Sequence, residues 1–413
     1  MTVLVPAVSL VAALAIWTVA ASTLVPWSAK PAAPVAAALV LPPEVRERAS
    51  ALRARLRPWR RISLLGNVIV PLVLGLTPLG AGLVHAMPAS APLRLLLVVL
   101  VLVGLPWLLL LPVGWRVRGV LRAYDLTRQG AASWWRDRLV SLALTVVMSA
   151  LALALVLPVM GFRWWWAVLL GAAIVVAPSL VVVLSPLLQR LFLRTEPVAD
   201  GPVRDGALDL ARRAGVRVRD VLVADASRRT TAYNAFVSGL GPSRRVVVYD
   251  TLLDGAPAAE VLSVLAHELS HARHRDVLRG LVLDLAGLAV GLCAAGVLLA
   301  GGPLTALTGV PSLGRPDSVP LLAALLILCG VVAGPWESLV SRRVETDADR
   351  GGLALTGDPE TFVAVHRRLA ATNLEDPHPS AMLRWWAGTH PTAAQRLALA
   401  GAHGATLEPV GGQ

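Results

Sequence analysis

Charge is what this 413-residue chain has least of: Asp, Glu, Lys and Arg make up 15% of it, against about 25% in typical globular domains. With 56% hydrophobic residues and a mean hydropathy of +0.66, that scarcity excludes an ordinary soluble protein. It indicates a polytopic membrane protein with some soluble mass attached. Lysine is almost missing, Lys30 being the single one, so the net charge of +12 is carried by arginine. Most of these arginines fall in loops between apolar stretches. That placement argues against a nucleic-acid partner and matches the basic excess on the cytoplasmic side of a membrane. The Ala, Leu, Val and Arg bias suggests a GC-rich bacterial genome. Two cysteines, Cys293 and Cys329, each inside an apolar span, leave no disulfide framework and read as buried small residues. The N-terminal apolar stretch has neither a basic n-region nor a convincing cleavage site, so it reads as a retained helix and not a signal peptide.

Hydropathy gives seven spans: Thr2 to Val25, Ile62 to Met87, Leu95 to Trp115, Leu139 to Met160, Trp164 to Leu193, Val277 to Ala300 and Pro320 to Trp336. Trp164-Trp165-Trp166 marks an interfacial belt. Residues 1–193 thus hold five transmembrane helices with basic loops, and residues 277–336 hold spans six and seven. Two soluble segments, 194–276 and 337–413, complete the chain. Lys30 to Arg61 reads as an arginine-rich amphipathic segment suited to an anionic membrane surface. In the first soluble segment, Pro202 to Ala214 reads as a helix and Arg219 to Ala224 as a strand. Ala232 to Tyr249 reads as two strands around the turn Ser238-Gly239-Leu240-Gly241-Pro242. Pro257, with Asp254 as a cap, opens the next helix. The end of the chain reads as soluble helices and a Gly-rich tail. The basic loops all fall on one side, which predicts an integral membrane protein of the bacterial plasma membrane with its N-terminus outside and both soluble segments cytoplasmic.

The chemistry centres on His267-Glu268-Leu269-Ser270-His271. On a helix, His267 and His271 project one turn apart from the same face and can share one metal ion. Glu268 lies between them, placed to take a proton from a metal-bound water. A catalytic zinc needs a third protein ligand. The candidate is Glu345, on a helix leaving the seventh span as the histidine helix enters the sixth. Asp349, one turn on, can accept the second N–H of a ligand histidine.

Three groups of residues together carry a family resemblance: the His267–His271 motif, Ser341-Arg342-Arg343-Val344-Glu345 with Ala348-Asp349, and Thr389-His390-Pro391 with Arg396. In this order around the last two spans, they resemble the membrane zinc endopeptidases of the type I CAAX prenyl protease family. Tyr233 to Leu240 is similar to that family's edge-strand segment. The resemblance implies a mainly α-helical polytopic membrane protein with a zincin-like α+β catalytic part and a small sheet. It implies one Zn2+ per chain on His267, His271 and Glu345, with Glu268 as general base and then acid. It places His390 and Arg396 at the site, His390 as the donor to the tetrahedral oxyanion. It also implies that Asn234 and its neighbours bind a polypeptide substrate as an added edge strand. For a bacterial chain, membrane-associated or C-terminal peptides are more reasonable clients than prenylated proteins.

Two competing readings are weaker. A protease cutting within the bilayer is disfavoured by Arg273, Arg275 and Asp276 directly after the motif, which puts the motif at the interface. A non-catalytic transporter or scaffold with a structural metal site would need ionisable groups within the other spans, and these spans are nearly free of them.

Overall fold

The structure is a computed structural model describing residues 3–88, 90–239 and 241–410. Thr2 of the first predicted span, Leu240 of the predicted turn and the end of the Gly-rich tail lie outside these residues. The N-terminal half is helical: α1 (Leu4–Leu24), α2 (Pro43–Leu76), α3 (Pro78–His85), α4 (Ala91–Val99), α5 (Leu105–Ala123), α6 (Ala131–Met160) and α7 (Trp165–Phe192). A π-helical turn, Leu100–Gly104, joins α4 to α5 into one rod. Then follow β1 (Thr195–Pro197), α8 (Pro202–Ala214), β2 (Asp220–Ala224), β3 (Ala235–Ser238), β4 (Arg245–Tyr249), α9 (Asp250–Gly255) and α10 (Ala258–His274). The remainder is α11 (Asp276–Leu299), α12 (Pro303–Leu307), α13 (Val319–Thr356), α14 (Pro359–Thr372), α15 (Ala381–Ala387) and α16 (Ala393–Gly401).

Among the described residues, six helical stretches are long and apolar enough to cross a membrane, and α7 adds the apolar stretch Trp165–Leu180. These occupy the seven predicted positions. Several helices run past the predicted spans, because helical hydrogen bonding continues beyond the apolar windows, whereas α1 and α11 end close to them. α2 begins within the basic segment, and α13 runs on from the last span for about five turns beyond Trp336. The second span breaks at Thr77, whose hydroxyl accepts from the N–H of Leu79 as a new helix starts at Pro78.

The sheet has the order β1-β2-β4-β3, with β2 and β4 parallel and both outer pairs antiparallel. β1 is too short for its periodicity to be read from sequence. Val246, Val247 and Val248 are buried in β4, as expected of a central strand covered on both faces. α8 starts on Pro202 and stops at Gly215, whose φ of +68° suits a left-handed cap. Its stripe of Ala207, Leu210, Ala211 and Ala214 packs into one core with Val261, Leu265, Ala266 and Leu269 of α10. The predicted Asp254 cap is not formed: Asp254 lies inside α9, and Pro257 stands at the α10 N-cap without a side-chain bond.

The segment from Lys30 to Arg61 does not lie on a membrane surface as one piece. Its first third is an extended strap in which Val35 donates to Ala394 O and Gln395 Nε2 donates to Ala32 O. Val40 and Leu41 are buried with Phe362, Val363 and Leu397 of α14 and α16. Apolar residues in the strap outweigh its charge, so it fills a groove between the C-terminal helices.

Candidate metal and catalytic site

Two helices make the site by crossing closely. α10 turns its apolar stripe to the sheet and presents His267, Glu268 and His271 elsewhere. α13 approaches it at Gly351-Gly352. A Cβ on Gly351 would sit 2.0 Å from Ser270 Oγ, and one on Gly352 would sit 3.1 Å from the backbone nitrogen of His267. This contact places Glu345, two turns earlier on α13, opposite the two histidines.

The three proposed ligand residues lie close together, each offering one ligand atom within 4.8 Å of the others. His267 Nε2 and His271 Nε2 are 3.1 Å apart; Glu345 Oε2 lies 3.5 Å from the first and Glu345 Oε1 3.6 Å from the second. Tetrahedral zinc with bonds of about 2.0–2.1 Å requires ligand atoms about 3.3 Å apart. The residues therefore fit the ion in both chemistry and spacing, and they are a group able to hold a metal. The His267 imidazole is pushed up to about 10: burial opposes its charge, but the contacts to Asp349 and Glu345 outweigh burial. The pocket is built for positive charge.

Each histidine is held from behind by a carboxylate. His267 Nδ1 lies 2.9 Å from Asp349 Oδ1, as the spacing predicts. His271 Nδ1 lies 2.8 Å from Asp276 Oδ2, a partner that sequence reasoning missed. Arg275, between α10 and α11, adopts φ 57° and ψ 42° and is at once the cap of α10 and the residue before α11. That left-handed turn folds Asp276 back over the last turn of α10. Only the five-residue separation of His271 from an acid hinted at it. His274 is partly buried, and its Nδ1 lies 3.1 Å from Asp347 Oδ2. Being three residues past His271, it faces α13 and not the ligand group.

The structure brings the other predicted residues here as well. His390 Nδ1 and Arg396 Nη2 lie 2.8 and 2.9 Å from Glu345 Oε2, and Arg396 Nε donates to Asp349 Oδ2 at 2.9 Å. Arg396 is buried against both carboxylates, whereas the His390 side chain is 64% exposed. Beneath them are two groups that carried no sequence signal. Burial pushes the Glu375 carboxyl up even though Arg396 draws it down, and its Oε1 accepts from Ala393 N–H. His366 is pulled down to about 3 by burial and then by Arg396, so it is a neutral packing group. Glu268 is half-buried and has no hydrogen-bond partner among the described residues. Burial pushes its carboxyl up, against the pull of the two imidazoles.

Asn234 stands directly before β3. Its Oδ1 accepts from Ala235 N–H and its carbonyl accepts from Tyr249 N–H, so it fixes the start of β3. β3 is an outer strand of the sheet.

A sequence profile described as Peptidase family M48 matches residues 197–402. The "Uncharacterized metalloprotease YhfN" of Bacillus subtilis is 26% identical over 322 residues, which cover 75% of this chain and 74% of that protein. The "Protease HtpX homolog" of Ralstonia pickettii is 30% identical over 204 residues, and the match spans 64% of that protein's length and 48% of this chain. The crystal structure of S. mikatae Ste24p shares the fold, with a TM-score of 0.79 and 18% identity. That match covers 96% of this chain and 98% of the other.

Proposed function

This chain belongs to peptidase family M48 and is a metalloendopeptidase of the membrane, and from that premise we propose that it hydrolyses peptides at one zinc ion held by His267, His271 and Glu345. The observation carrying the ligand set is the close approach of the three side chains, with the two Nε2 atoms 3.1 Å apart and the two Glu345 oxygens facing one imidazole each at 3.5 and 3.6 Å. Zinc, when bound, lowers the pKa of a water and polarises the scissile carbonyl. Glu268, unpaired and beside both histidines, takes the proton of the attacking water and delivers it to the leaving amine. Asp349 and Asp276 fix the ring orientation of the two histidines. His390, whose Nδ1–H faces Glu345 Oε2 at 2.8 Å, offers Nε2–H to the developing oxyanion as an imidazolium, a role worth about 3 kcal/mol in comparable sites. Arg396 holds Glu345 and Asp349 in place.

The substrate is an extended polypeptide added to the outer edge of β3. Because Asn234 turns its carbonyl to β4, alternation leaves the outward peptide groups to Ala235 and Val237. Main-chain pairing of this kind demands little sequence, which suits membrane-associated or C-terminal peptides as clients. The site stands on the cytoplasmic side by the arginine distribution of the loops.

The test is a metal and turnover measurement on purified protein. The proposal expects one zinc per chain, cleavage of an unstructured peptide, no cleavage by Glu268→Ala, and loss of zinc from Glu345→Ala. Cleavage by Glu268→Ala at the parent rate would remove it as the base, and full zinc retention by Glu345→Ala would remove it as a ligand.

A further inference from the structure

The C-terminal helices after α13 read as soluble, but α15 does not have a soluble helix's surface. Its seven residues, Ala381–Ala387, expose Met382 at 75%, Leu383 at 52% and Trp385 at 56%, with Trp386 also partly open. It contains no acidic residue and one arginine, Arg384. Left in water, such a cluster of large apolar side chains on one short helix is costly and marks an interaction surface.

Its attachment fixes its depth. Ser338 Oγ donates to the carbonyl of Trp386 at 3.0 Å, and Arg342 donates to the carbonyls of Arg384 and Gly388. The indole of Trp386 lies over Gly334, where a Cβ would meet its Nε1 at 3.2 Å. α15 is therefore fastened to α13 between Gly334 and Arg342, where the apolar span gives way to polar helix. Other tryptophans collect at the same level. Trp336 lies 4.5 Å from Trp17 and 5.9 Å from Trp27, and the Arg343 guanidinium is 4.9 Å from the Trp27 ring. Trp and Arg together at the end of a span are the signature of the headgroup level.

We propose that α15 is seated in the lipid bilayer, with Met382, Leu383 and Trp385 in the acyl–headgroup boundary on the catalytic side. Lipid is the occupant because α15 is fastened to α13 at the end of the last span, which is itself openly apolar at Leu326 and Val332. Arg342, Arg343 and Arg384 at its rim suit anionic headgroups. Glu345 is only three residues beyond Arg342, about 5 Å along the helix, and His390 follows three residues after α15. On the reading of the site proposed above, the bilayer surface thus supports the loop that carries His390, and substrates reach the site along that surface.

The lipid contact is measured without reference to catalysis. Full-length protein with Cys293→Ala and Cys329→Ala takes an environment-sensitive nitrobenzoxadiazole label at Met382→Cys. A second protein takes it at Arg212→Cys, on the soluble helix α8. Both are reconstituted in vesicles of phosphatidylcholine and phosphatidylglycerol. The expected result is that nitroxide on the lipid chains near the headgroup quenches the Met382 label at least threefold more than the Arg212 label, while aqueous iodide shows the reverse order. Iodide quenching at Met382 equal to that at Arg212 overturns the proposal in favour of a solvated helix. Shielding from both quenchers overturns it in favour of a second protein surface. Trp385→Cys, labelled in the same way, gives an independent reading if Met382→Cys expresses poorly.

Discussion

The two helices that supply the candidate ligands meet the membrane in opposite ways. α10 stops at His274 and changes direction at a single left-handed residue, Arg275, before α11 enters the span. α13 leaves its span and continues unbroken to Thr356, with Glu345 in mid-helix. The motif on α10 is local, since the i, i+4 spacing alone pairs His267 with His271. The third position is not local: it depends on a rigid rod arriving at the right height and rotation. A short helix can carry the chemistry, but the long one sets its geometry.

The contrast can be broken at its strongest point first. Glu268→Gln, on α10, should lower turnover by about 10²–10⁴-fold with zinc content unchanged, as read by peptide cleavage and metal analysis of one preparation. Inserting one alanine after Glu337 turns the rest of α13 by about 100° and shifts it by about 1.5 Å. That protein should lose its zinc, while the same insertion after Arg275, which leaves His267 and His271 in register but moves Asp276 away from His271, should still bind the ion, with an affinity weakened no more than by Asp276→Asn. Next come the supporting carboxylates. Asp349→Asn and Asp276→Asn should each weaken zinc affinity by about 10–100-fold in competition with a chelator. The larger loss is expected at Asp349, which is fully buried and also holds Arg396. The smallest expected effect sharpens the picture at the crossing. Gly351→Ala drives a methyl into Ser270 Oγ and should cost about 1–3 kcal/mol, seen as a lower unfolding midpoint. The double change Gly351→Ala with Ser270→Ala should recover much of it.

The same contrast explains what the sequence could reveal. His267, Glu268 and His271 are legible because helical periodicity places them without knowledge of the rest of the fold. Glu345 and Asp349 are legible through the order of the spans, which brings two helix ends together. The spans are legible by hydropathy, and so is the polar helix that follows Trp336; the starts of α2 and α6 are not, since polar residues prolong a helix as readily as apolar ones. Asp276 escaped because its role depends on the backbone of Arg275, a left-handed conformation that an arginine does not announce. Glu375 and His366 escaped for another reason: they matter through Arg396, far away in sequence. The strap from Lys30 to Leu41 shows the limit of composition, because one lysine and nearby arginines drew attention from Val40 and Leu41, which are fully buried.

Arg275 and the unbroken α13 together mean that the site has no stem. Proteins that release an enzymatic head into solution do so by cutting an exposed linker between head and anchor. Here the chain passes from His271 to the sixth span in five residues, one of which, Asp276, supports His271 itself, and from the seventh span to Glu345 without leaving the helix. A cut on either path would remove a supporting group or fray the helix that presents a ligand. The activity of this protein is therefore expected to be inseparable from the membrane over its whole lifetime, with shedding a route to inactivation and not to a soluble enzyme.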